Sequence, residues 1–188
     1  MIILGIYFRA DASTAIATVG PNTPDRNIGF TGGVTGTFNL GSEKAFIQSK
    51  AGFGFNQNVT VIITPLKGQG AGNYNFNAAT GIWSLILKDP NGFPTQFKVF
   101  DNATGAQLLN GQFATAILHG RSGSSSLALT LLQDNAVYDL TSSLWFPGNL
   151  MPQGGSLSIA ILSKTPVSAN AAGPAIFAAN GDINFGAQ

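Results

Sequence analysis

The chain has 188 residues and a hydrophobic content of 44%, enough for one domain with a core of ordinary size. Only 9% of its residues are charged, nine basic against eight acidic, so it carries no electrostatic footprint for nucleic acid or an anionic membrane. Without a cysteine, it can form neither a disulfide framework nor a thiolate metal site.

A surface this poor in charge is solvated by Ser, Thr, Asn, Gln and Gly, and near-neutrality favours association. That balance suits an extracellular or cell-surface protein, or a subunit that buries much of itself in an assembly. No stretch is long enough for a transmembrane helix, so no membrane span is expected. Residues 1–8 lack the basic leader of a signal peptide and are expected to be strand.

Period-two alternation opens the chain. Ile2, Leu4, Ile6, Phe8, Ala10, Ala12 and Ile16 fall on one face, with Tyr7, Arg9 and Asp11 on the other. This is the pattern of a long half-buried strand. Gly20 to Asn27 holds two prolines and no apolar period, and reads as a linker. The expected organisation is therefore an N-terminal strand (1–19), a linker (20–27) and a β body (28–188).

Within the body, Ile28, Phe30, Val34, Phe38 and Leu40 share even positions and predict one long strand, thinned by Gly32 and Gly36. Ala45, Ile47, Ala51, Phe53 and Phe55 continue the alternation, and Val59, Val61 and Ile63 form a strand that Pro65 ends. Further strands are expected at 74–76, 82–87, 97–100, 107–118, 127–132, 137–146, 156–162 and 175–185. Asn91-Gly92, Thr104-Gly105, Asn110-Gly111 and Gly154-Gly155 supply turn chemistry between them. Residues 127–144 also fit a short helix. About a dozen short strands at this spacing predict an all-β, antiparallel β-sandwich or jelly roll.

Catalytic chemistry finds little support. His119 is the single histidine, close to Ser122, Ser124, Ser125 and Ser126, and no nucleophile-elbow pattern surrounds it. Glu43 is the single glutamate, and the aspartates are spread along the chain, mostly beside turn residues. Asp89-Pro90-Asn91-Gly92, Asp101-Asn102-Ala103-Thr104 and the cluster Asp134, Asn135 and Asp139 are rich in oxygen, yet none matches a calcium loop. The chain is therefore expected to be no enzyme and to need no metal or cofactor. Trp83 alternates with Leu85 and Leu87 like a core residue, whereas Trp145 ends a strand and is the candidate platform for a sugar ring. Asn58 and Asn102 begin the glycan acceptor patterns Asn58-Val59-Thr60 and Asn102-Ala103-Thr104.

The C-terminal half carries Leu108-Leu109-Asn110-Gly111, the Gly120–Ser126 loop, Gly154-Gly155-Ser156-Leu157-Ser158-Ile159 and the closing run from Ala175 to Phe185. In this it resembles exported bacterial surface domains of the PEP-CTERM or choice-of-anchor kind over roughly residues 30–186. The resemblance implies an exported β-sandwich without assigned catalysis. Ile183 stands where the last Phe of the family's ending would be, and Gly186-Ala187-Gln188 offers no anchor. A similar logic to chaperone–usher pilins suggests another form of retention, in which residues 2–16 add to the sheet of a neighbouring copy. Repeated head to tail, that contact builds a filament. The expected partner is then the chain itself, in a homopolymer. Two alternatives stay open: residues 2–16 as the first strand of their own domain, and a monomeric secreted module that binds carbohydrate or a surface.

Overall fold

Buried and exposed side chains alternate along most strands, and the resulting apolar faces need an opposing layer. In Ile82–Lys88, for example, Trp83, Leu85 and Leu87 are buried while Ile82 and Lys88 are exposed. The computed structural model describes residues 14–21, 28–40, 43–49, 56–92, 95–131, 137–139 and 155–187. Among these the strands run β1 (Thr14–Pro21), β2 (Ile28–Phe30), β3 (Thr37–Leu40), β4 (Glu43–Ser49), β5 (Asn56–Ile63), β6 (Leu66–Gly68), β7 (Tyr74–Phe76), β8 (Ile82–Lys88), β9 (Thr95–Asp101), β10 (Gln107–Phe113), β11 (Ala116–Arg121), β12 (Ser124–Leu131), β13 (Val137–Asp139), β14 (Gly155–Val167), β15 (Ala169–Asn170), β16 (Gly173–Pro174) and β17 (Phe177–Ala187).

Eight of these strands close into an antiparallel barrel in the order β17-β14-β12-β11-β8-β6-β3-β2 and back to β17. This corrects the expected sandwich or jelly roll. The closing contact is short: Phe177, Ala178 and Ala179 pair with Phe30, Gly29 and Ile28. Alternating strands look the same in a sandwich and in a barrel, and only this remote pairing distinguishes them. An eight-stranded barrel is just wide enough for side chains to fill. Phe30, Phe38, Trp83, Leu118, Leu129 and Ile159 are among the residues that fill the core, with the rings of Phe30 and Phe177 stacked 5.6 Å apart.

Six further strands form a wing in the order β13-β10-β9-β5-β4-β1, which joins the barrel at β17. One edge of β17 pairs with β14 from Ala179 to Ala187. Its other edge is shared, with β2 taking Phe177–Ala179 and β1 taking residues 183–187. The wing buries Val59, Val61, Phe97, Val99 and Leu109 in the same apolar cluster as the barrel. The small β15–β16 hairpin follows β14 and is tied down by polar contacts. The Tyr74 hydroxyl donates to the Asn170 carbonyl (2.8 Å), and the Gly33 N–H donates to the Pro174 carbonyl (2.8 Å).

Four local expectations change. The run 28–40 is a hairpin of β2 and β3, with Phe30 opposite Phe38 and Ile28 opposite Leu40. Partners across that turn share number parity, so the alternation passes through it without a visible break. The run 107–118 divides at Ala114-Thr115, where the chain leaves the wing for the barrel. Asn110-Gly111 is no turn, because both residues lie inside β10 with β9 on one side and β13 on the other. Gly111 is required there because a Cβ would collide with the Phe97 ring. Where residues 127–144 are described the helical alternative also gives way, since Leu127–Leu131 and Val137–Asp139 are strand.

Candidate functional site

A cavity of about 640 Å³ lies on the flank of the molecule, bordered by two places where the chain passes between barrel and wing. The turn after β8 contributes Asp89, Pro90 and Gly92, and the link between β10 and β11 contributes Ala114 and Thr115. Strand β6 and its exit bring Lys67 and Gln69, the end of β8 brings Lys88, and the β2–β3 turn brings Thr35.

Register places the two lysines together. Lys67 of β6 sits directly opposite Lys88 of β8, and Thr37 of β3 is opposite Lys67 on the other side. Both lysines are exposed, and neither makes an ion pair or side-chain hydrogen bond with a described residue. Like charges directly opposite on one sheet face repel. Such an arrangement stands out in a chain with only nine basic residues.

The neighbouring groups are held in place. Asp89 is 7% exposed, and its Oδ1 accepts a hydrogen bond from the Asn91 N–H at 2.8 Å. The Gly92 N–H donates to the Asp89 carbonyl at 3.2 Å, in a turn whose φ of +77° at Gly92 favours glycine. The Gln69 side-chain N–H donates to the Lys67 carbonyl at 2.8 Å, which leaves its amide oxygen without a described partner. The lining thus combines two ammonium groups, an amide, two threonine hydroxyls and a carboxylate. Among the described residues it contains no aromatic side chain. Such a surface can bind a polar ligand by charge and hydrogen bonds.

The residues singled out in the sequence fall elsewhere or outside the described set. Ile2, Leu4, Ile6, Phe8, Ala10, Ala12 and Trp145 lie outside the described residues. Ile16 lies in β1, which pairs with β17 on one edge and with β4 on the other. The linker positions 20 and 21 are the last two residues of β1, and 22–27 lie outside the described residues. Trp83 is in the core, at 1% exposure.

Asn58 and Asn102 are exposed and meet at one corner. The Asn102 N–H donates to the Asn58 carbonyl (3.0 Å), and the Thr60 hydroxyl donates to the Asn102 side-chain oxygen (2.7 Å). His119 is half-buried on β11, opposite Ser84 and Ala128. The nearby Ser122 hydroxyl accepts from the Ala169 N–H and donates to the Ala169 carbonyl, and the Ser124 hydroxyl is bonded to the Ser126 backbone. Asp101 caps its own turn, accepting from the Thr104 hydroxyl at 2.6 Å and from the Ala103 N–H at 3.0 Å, which lowers its carboxyl below the usual carboxylate range. Asp134 and Asn135 lie outside the described residues. Among the described residues no three His, Asp or Glu side chains gather as a metal site.

Reading the sequence flagged the turn at Asp89 but passed over Lys67 and Lys88. Their scarcity was the available signal, since a lysine within β6 and another closing β8 are notable in so uncharged a chain. Comparison with protein-family profiles, with curated proteins and with solved structures finds no match.

Proposed function

We propose that this chain is an exported, non-catalytic binding module whose ligand occupies the cleft beside Lys67 and Lys88. The observation that carries this reading is the opposition of two lysines at the mouth of a cavity, with no carboxylate of a described residue paired to either. Directly opposed like charges cost stability, and a bound anion would relieve that cost. The scarcity of charge elsewhere and the resemblance to exported bacterial surface domains fit a setting outside the cell. The direct test is amide-resolved NMR titration with small polar ligands. Shifts gathered at residues 67–70, 88–92 and 114–115 support the reading, and shifts scattered over the surface or absent argue against it.

A second reading retains self-assembly through an N-terminal strand. Ile62, Ile82, Leu162 and Ile176 are large apolar residues exposed to solvent, and the net charge is only +1. Because β1 has its own chain on both edges, strand addition would rely on residues before Thr14. Fibres under negative stain that vanish when residues 1–13 are deleted would establish it, and a full-length chain that stays monomeric at high concentration would end it.

A further inference from the structure

We infer that the ligand of this cleft is an acidic saccharide, a ring rich in hydroxyls that carries a single anionic group, with that group held between Lys67 and Lys88. The inference rests on the binding reading above and narrows it to a chemical class.

The lysines argue for an anion. Each ammonium offers three donors and no acceptor, and an anion between them converts a repulsive cross-strand pair into two attractive contacts. The rest of the lining argues against a highly charged one. Asp89 adds a carboxylate and Gln69 an amide oxygen to the lining, and both can accept hydrogen bonds from a ligand. Inorganic diphosphate brings several negative charges and few donors, so it would face Asp89 unfavourably. A sugar acid brings one charge for the lysines and several hydroxyls. Those hydroxyls can donate to Asp89 and Gln69 and exchange hydrogen bonds with Thr35 and Thr115. The volume of about 640 Å³ lies within the usual range for small-molecule sites and suits a short oligosaccharide. Among the described residues the lining offers charge and hydrogen-bonding groups and no aromatic platform for a neutral ring. Selectivity then depends on charge.

The anionic group can be a carboxylate or a sulfate ester, and the test separates the two. Calorimetric titration of the full chain would use a galactose trimer with one ring replaced by galacturonate, a galactose trimer bearing one sulfate ester, the neutral galactose trimer and inorganic diphosphate. The expected result is binding of at least one acidic trimer about ten-fold or more tighter than the neutral one, weakening as salt is added. Which acidic trimer is preferred identifies the anionic group. The double variant Lys67→Gln, Lys88→Gln should lose about ten-fold or more in affinity while melting at the same temperature or higher. Asp89→Asn keeps an oxygen for the Asn91 N–H, and should weaken the acidic trimer while strengthening diphosphate.

Equal binding of neutral and acidic trimers overturns the acidic assignment and leaves the binding reading standing. Diphosphate binding tighter than either acidic trimer overturns the saccharide class. Full affinity in the double variant, or a double variant that melts lower, overturns the role of the lysines. If none of the four ligands binds or shifts the amides at the cleft, the acidic-saccharide assignment falls. The binding reading itself falls only if its broader NMR titration also finds no cleft ligand.

Discussion

The barrel and the wing are built from the same alternating strands, but they deal with their edges differently. In the barrel the sheet returns on itself, and its edges are consumed by the pairing of β2 with β17. In the wing the sheet runs outward from β17 to β13, which contacts β10 over only three residue pairs and has no described partner on its far side. Closure makes the barrel independent of outside help, whereas an open sheet depends on whatever it packs against. The wing's buried residues belong to the barrel's apolar cluster, so the two regions should behave as one cooperative unit with a stronger and a weaker end.

The largest test of that view is Trp83→Ala in the barrel. Losing a fully buried tryptophan should cost about 3–5 kcal/mol in urea denaturation. Probes placed in wing and barrel should still report a single transition, and two separate transitions would divide the molecule into independent parts. Gly111→Val strikes the wing instead. Overpacking against the Phe97 ring should cost about 1–3 kcal/mol and disturb the amide resonances of β9 and β10 before those of β8 and β11. Lys67→Gln should raise stability by up to about 1 kcal/mol, less as salt screens the repulsion; destabilisation would show that the opposed lysines are not in tension.

The smallest effect concerns Asp101. Its carboxyl is held below the usual range mainly by the Thr104 hydroxyl and the Ala103 N–H. A depressed folded value means that the turn's contribution is fully present above the ordinary carboxylate range and disappears as pH falls through the depressed value. NMR titration of Thr104 and Gly105 should follow that acid transition, and Asp101→Asn should abolish it.

Much of the strand content could be read from the sequence because burial enforces alternation. Trp83, Leu85 and Leu87 announced β8, and the glycines at 92 and 105 marked true turns with positive φ. What could not be read depends on partners distant along the chain. The run from Ile28 to Leu40 kept its parity through a hairpin. Asn110-Gly111 has the chemistry of a turn but the packing of a strand, and that choice is made by the Phe97 ring on β9. Closure depends on three residue pairs between β2 and β17. The candidate site follows the same rule. Lys67 and Lys88 are ordinary lysines until the β6–β8 register sets them face to face.

The divided edge of β17 also constrains how the protein is made. Phe30 emerges from the ribosome well over a hundred residues before Phe177, the partner that closes its strand. At about 5–20 residues per second, the β2–β3 hairpin waits on the order of ten seconds with an unpaired edge, and the first wing strand waits for the same partner. Pairings this remote also fold slowly. The vulnerable moment for this chain is therefore the interval before β17 arrives, when two incomplete sheets share one vacancy. A chaperone that shields strand edges should raise the yield of folded protein most when it acts during synthesis.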